Sequence, residues 1–223
     1  MVLGILTYQN IRENKEINAY ITTGDKGLGV LGYTDHSQAH AAKVAEIAGQ
    51  ILKELGYSNR DVELAKIAGY MHDIGNAVNR HDHAHSGAIL SFQILRDLGM
   101  DPEEAAQIVA AIGNHDEQTG TAVSPVSAAL ILADKTDVRR NRVRNQDKSS
   151  FDIHDRVNYA AVESKVSVDL EKRVILLDIS LDETMCSMLD YFEIFLERML
   201  MCRRAAEMLK VRFKMTANGN KVL

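Results

Sequence analysis

The chain has 223 residues, 46% hydrophobic and 26% charged, with a formal net charge of −5, 14 Gly, 2 Pro, 2 Cys and no Trp. That is enough apolar material for one domain with an elaboration, and it excludes a disordered, collagen-like or disulfide-scaffold chain. The acidic balance argues against wholesale binding of nucleic acid or anionic membrane and leaves room only for a local basic patch.

The apolar start, Met1 to Leu6, is too short for a signal h-region and has no basic residue before it. No stretch approaches about 18 apolar residues, so a cytoplasmic chain without a membrane span is expected. A first helix is predicted from roughly Tyr8 to Thr22. From His40 to Leu55 the residues Val44, Ile47, Ala48, Ile51, Leu52 and Leu55 form one helical stripe, closed by Gly56. Asp61–Met71 and Ala84–Leu98 repeat the pattern. Asp101-Pro102 and Ser124-Pro125 each place a capping side chain and an N1 proline before a further helix. Six helices therefore fill most of residues 8–145.

After residue 160 the pattern changes. Ser164–Leu170 alternates, Glu171-Lys172 breaks it, and Arg173–Leu181 is β-branched and apolar, which predicts a hairpin. A long helix is expected from Glu183 to about Val211, then a short strand from Phe213 before Asn218-Gly219-Asn220. The expected fold is mainly α: a helical bundle over residues 1–148 and a hairpin plus long helix over 149–223. Cys186 and Cys202 are sixteen residues apart, about 160° around a helix, and read as buried free thiols rather than a disulfide or thiol metal site. Met185, Met188, Phe192, Phe195 and Met199 spread over more than one face of the last helix. Packing between hairpin and bundle accounts for that width; a homodimer seam or a methionine-rich groove are the alternatives.

Eight histidines occur, and seven lie between positions 36 and 115 at separate predicted helix termini. Asp134 follows six apolar residues, where a carboxylate is costly to bury without a charged partner. Its simplest partner is Lys135 or Arg139. Imidazoles and carboxylates gathered at the ends of several helices are also what a divalent metal requires.

The order His40-Ala-Ala-Lys-Val44-Ala-Glu-Ile-Ala48, then His72-Asp73-Ile74-Gly75, then Asp134 resembles the H…HD…D signature of the HD-domain metal-dependent phosphohydrolases, over about residues 34–145. His83, four residues before Gly87, and His115 match the extended form of that pattern. The resemblance implies an all-helical HD bundle and the metal ligands His40, His72, Asp73, His83, His115 and Asp134. Those six suffice for one or two divalent transition metals (Fe, Mn, Ni, Co or Zn), with Asp73 bridging two and acting as the catalytic residue that orients a metal-activated hydroxide. His40, His72 and Asp134 would hold one ion, His83 and His115 the other. His36 either supports the site or opens the helix. His81 and His85 form the rival pair to His83.

The implied substrate is a small phosphate ester, in the first place a nucleotide. Lys135, Arg139 and Arg142, placed on one helical face, and Arg80 are the candidate phosphate contacts; the bland alternative for the three is a solvated basic helix end. Asn76 stands where many members have Lys. Asp116-Glu117-Gln118-Thr119-Gly120 lacks the second His and the Gly-Tyr-Pro of the cyclic-dinucleotide branch, which is therefore disfavoured. The surroundings of His40 and His83 are also similar to endoribonucleases of the ribonuclease Y type. No KH-like or coiled-coil segment precedes them, so an RNA would bind mainly through the arginine cluster. An RNA or single-stranded-DNA nuclease, and a non-catalytic metal- or nucleotide-binding module, are the alternatives to the phosphohydrolase.

Overall fold

The computed structural model describes residues 5–145 and 147–223; of the apolar start, Met1–Gly4 lie outside the described residues. Helices α1 (Tyr8–Arg12), α2 (Lys15–Val30), α3 (Gln38–Glu54), α4 (Asn59–Met71), α5 (His83–Asp97), α6 (Pro102–Gly113) and α7 (Pro125–Lys135) form the bundle. After them come α8 (Ile153–Ala160), β1 (Ala161–Asp169), β2 (Val174–Leu181), α9 (Met188–Met208), β3 (Arg212–Ala217) and β4 (Asn220–Lys221). The mainly helical architecture agrees with the sequence.

Local side-chain chemistry sets where these helices begin. Ser58 and Ser187 each exchange hydrogen bonds with the residue three further on, Asp61 and Asp190, as reciprocal caps of α4 and α9. Asp101 and Ser124 cap α6 and α7 ahead of their prolines. The single first helix expected over 8–22 is instead two, because the Asn14 side chain accepts from the backbone N–H of Glu16 and Ile17 and restarts the chain. The long last helix is shorter than expected at both ends: the Ser187 cap starts it at Met188, and Lys210, at φ 59°, ends it. Helix α8 was not expected; eight residues give too few apolar repeats to reveal a period.

The hairpin turns where the sequence breaks, with Val168 opposite Ile175 and Asp169 opposite Val174. It is part of a larger sheet than a hairpin. The order is β1-β2-β3-β4, and β3 runs parallel to β2 after the crossover through α9. Along β2 the buried residues Ile175, Leu177, Ile179 and Leu181 alternate with Asp178 and Ser180.

Helix α7 is the hub. Val126 to Ala133 are all buried, and α3, α4, α6 and α9 pack around it. Leu130, Ile131 and Leu132 are fully buried, each worth about 1.5–3 kcal/mol of burial. One continuous core joins them to Tyr191, Phe195 and Cys202 of α9, so the wide apolar face of that helix is covered within the chain. Its exposed apolar residues are Leu189, Leu196 and Met208. Cys186 and Cys202 are buried and free, as expected.

The site is positioned by one close approach. A Cβ on Gly75 would lie 2.0 Å from the His83 carbonyl oxygen and 2.5 Å from the Gly87 nitrogen. Only a glycine lets the turn after α4 touch the first turn of α5, which sets His72-Asp73 beside His83. Gly75→Ala should therefore lower stability by about 3 kcal/mol or more, roughly 6–12 °C in Tm for a chain of this size. Gly27→Ala, on α2 with open space around the new methyl, should raise stability by about 0.5–1 kcal/mol. Thermal unfolding by circular dichroism checks both.

Candidate metal centre

Five helix ends meet at one pole of the bundle. His40 lies in the first turn of α3, His72 caps the end of α4 and Asp73 follows it. His83 opens α5, His115 follows α6, and Asp134 sits in the last turn of α7. All four imidazoles are buried, at 0–2% exposure, and so is Asp73.

Each ring is oriented through Nδ1. His72 Nδ1 donates to the Gly69 carbonyl at 2.8 Å, His115 Nδ1 to the Ile112 carbonyl at 2.6 Å and His83 Nδ1 to the Arg80 carbonyl at 3.1 Å. His40 Nδ1 donates to Asp137 Oδ2 at 2.8 Å. A carbonyl or carboxylate accepts, so Nδ1 carries a proton and, in the neutral ring, Nε2 carries the lone pair. Nε2 of His40 and of His72 are buried without a hydrogen-bond partner among the described residues. Nε2 of His83 faces Nε2 of His115 at 3.2 Å, two lone pairs that repel unless a cation lies between or beside them. Buried polar atoms without partners are costly, and four converging Nε2 atoms fit a divalent metal.

Asp73 stands between two groups. Its Oδ2 is 3.1 Å from His72 Nε2, 3.8 Å from His40 Nε2 and 4.0 Å from His36 Nε2. Its Oδ1 is 3.5 Å from His83 Nε2 and 3.9 Å from His115 Nε2, and accepts from Asn76 Nδ2 at 2.9 Å. Asp134 Oδ1 lies 3.5 Å from His40 Nε2 and 3.6 Å from His72 Nε2. Among the described residues, two sets have donor atoms close enough to share one ion: His40, His72 and Asp134, and His72, Asp73 and His115.

A cavity of about 790 Å³ opens over this floor. Arg80, Lys135, Arg142, His36 and Tyr33 line it, and so do Asn158 of α8 and Phe195 and Arg198 of α9. His36 precedes the Ser37 cap and so lies outside α3, yet its ring meets that of His40 edge to face at 5.8 Å. His81 and His85 are exposed and pair with Asp82, outside the cluster.

The expected helical face of Lys135, Arg139 and Arg142 does not form. Thr136 turns its hydroxyl back to the Leu132 carbonyl and α7 stops at Lys135. Arg139 then binds both oxygens of Asp137 and is not among the cavity-lining residues. Arg142 lines the cavity but donates to the Asp35 and Asp137 carbonyls. Lys135 is a cation at the candidate metal ligands, 2.9 Å from Asp134 Oδ2, and lies 2.6 Å from Glu117 Oε2. Burial opposes its charge, but Asp134 and Glu117 outweigh burial and raise its pKa.

Three residues of the site escape a sequence reading. Asp137 orients His40 and also holds Lys43 at 2.8 Å; its partner is too far along the chain for spacing to reveal. Glu117 and Arg198 form an ion pair at 2.9 Å across 81 residues. Arg198 leaves one signal, a charge on an apolar helical stripe.

The model of the HD domain matches residues 38–148, the segment that carries all six candidate ligands. An uncharacterized protein of Methanocaldococcus jannaschii is 30% identical over 182 residues, which cover 71% of this chain and 69% of that protein. The chain belongs to the HD domain family. Ribonuclease Y of Thermosipho melanesiensis is 30% identical over 155 residues, 68% of this HD protein and 30% of the ribonuclease. The chain thus spans about a third of the length of that relative. A crystal structure described as a predicted HD superfamily hydrolase, from an uncultured Thermotogales bacterium, aligns at 26% identity and a TM-score of 0.44 over 56% of this chain and 68% of that one. Family membership and the two donor sets support a metal-dependent hydrolase. No helix among the described residues is long and apolar enough to cross a membrane.

Two consequences of the geometry are measurable. Asp137 touches the candidate ligand set through His40 Nδ1, so Asp137→Asn should weaken metal binding by about 10-fold or more, read by competition with a chromogenic chelator. In the metal-free chain burial lowers the His72 pKa, but Asp73 and Asp134 outweigh it and raise it to about 10. A proton and a metal ion thus compete for Nε2, and apparent metal affinity should climb with pH between 6 and 9 and fall on acidification. The same competition experiment, repeated along that pH range, checks the sign.

Proposed function

We propose that the chain is a phosphohydrolase that uses two divalent transition metals, from among Fe, Mn, Ni, Co and Zn, to cleave a phosphate ester of nucleotide size. The observation that carries this reading is the charge of the cavity. Seven carboxylates line it against four Arg and Lys side chains, an excess of three negative charges that repels phosphate. Two divalent ions on the floor reverse that sign, so an anionic substrate and the metals belong to one site. A volume of about 790 Å³ also lies within the usual range of small-molecule sites.

Bound divalent ions supply Lewis acidity toward phosphoryl oxygens and a water-derived nucleophile near neutral pH. The chain's own groups do the rest. Asp73, fixed by Asn76, turns one oxygen to each half of the histidine cluster and orients the attacking water. Lys135 and Arg80, the latter 3.8 Å from Asp73 Oδ1, place positive charge where a phosphate would lie. His36 faces the same space.

A second reading has its own support. Several relatives are ribonucleases Y, among them that of Thermosipho melanesiensis, so a single-stranded RNA is the alternative substrate. Phosphate release and fragment analysis on manganese- and iron-loaded protein separate the two, using nucleoside mono-, di- and triphosphates beside a labelled RNA oligomer. The expected result is inorganic phosphate from a nucleotide, with Asp73→Asn reducing kcat/KM by at least about 10²-fold. RNA fragments whose yield falls steeply with salt would move the assignment to a nuclease. Turnover of neither class with any of the metals would leave a binding module.

A further inference from the structure

Helix α9 buries Tyr191, Phe195, Cys202 and Ala205 on one side, and Arg198 stands on that stripe, three residues after Phe195 and four before Cys202. The Arg198 side chain is half-buried at 27% exposure, and its charge is only partly compensated within the chain. Its Nε donates to Glu117 Oε1 at 2.9 Å. The other oxygen of that carboxylate takes Lys135 Nζ at 2.6 Å, so one negative charge serves two cations. Asp134, which also meets Lys135, turns its second oxygen to His40 and His72. Both Nη nitrogens of Arg198 lack a hydrogen-bond partner among the described residues. The guanidinium lies 4.7 Å from the centroid of Phe195, and both residues line the cavity that also holds the metal ligands.

We infer that Arg198 is a specificity-determining residue that receives a second anionic group of the substrate, so that the preferred phosphate ester carries a further phosphate beyond the one at the metal ligands. The inference rests on the phosphohydrolase reading above and names its substrate class. With one edge tied to Glu117, the guanidinium has a planar two-nitrogen edge left, the geometry that matches two oxygens of one phosphate. A lysine would satisfy Glu117 equally well and offer no such edge. Arg198 also lies outside residues 38–148, so the element added to the HD domain supplies this contact.

The test is calorimetric binding of methylphosphonate and of methylenediphosphonate to the full chain, with Mn²⁺ in excess over ligand, for the wild type, Arg198→Lys and Arg198→Met. The wild type should bind the diphosphonate about tenfold or more tightly than the monophosphonate, and both variants should bring the two affinities within about threefold. Arg198→Lys keeps the Glu117 pair, so it decides the matter if Arg198→Met does not fold. A preference that is missing in the wild type, or that survives in the variants while only Tm falls, would overturn the role of Arg198. If the metal-loaded wild type binds neither anion, the phosphohydrolase reading falls with it. Binding of the monophosphonate without preference for the second phosphate removes Arg198 alone.

Discussion

Every imidazole of the cluster has its Nδ1 proton committed to a carbonyl or a carboxylate, and that commitment governs the rest of the site. It fixes the tautomer, aims four Nε2 lone pairs at one pole and leaves two of them buried without partners. Three of the four acceptors are backbone carbonyls at helix ends or turns, so ligand orientation follows from the paths of the helices. The chain therefore places its ligands through backbone geometry, and Gly75 is where that geometry is tightest.

Much of this was legible because it is local. Caps, prolines and apolar periods locate most helices, and the break at Glu171-Lys172 locates the hairpin turn. The ligand pattern could be read because HD domains keep those residues in a fixed order at helix ends. What could not be read depends on competition or on distance. The split of the first helix follows from one Asn14 side chain out-competing the helix for two N–H groups. The stop after Lys135, which scatters the expected arginine face, follows from the Thr136 hydroxyl. Asp137 and Glu117 look like ordinary surface acids until the fold brings His40, Lys43, Lys135 and Arg198 to them. The parallel pairing of β2 with β3 joins segments separated by the whole of α9.

Electrostatics divides the cavity into two functions. Its floor concentrates carboxylates and imidazoles, a donor set that favours hard and borderline cations over anions. Its walls carry Arg80, Lys135, Arg142 and Arg198, cations too few to reverse the sign alone. On the proposed function, metal occupancy would then control the binding of anionic ligands. The chain's overall negative charge does not conflict with a phosphate substrate, because the relevant field is that of the loaded floor.

The core that runs without interruption from α7 into α9 has a consequence for the history of the chain. A wall residue such as Arg198 is carried by the same helix that buries one side of the hub, so it cannot be exchanged by swapping a peripheral loop. New substrate contacts would arise by single replacements along an existing helix face, each limited by the packing of its neighbours at Phe195 and Cys202. Loss of the added element would strip α7 of one of the four helices that bury it, so it would lower the stability of the bundle as well as remove Arg198 from the cavity.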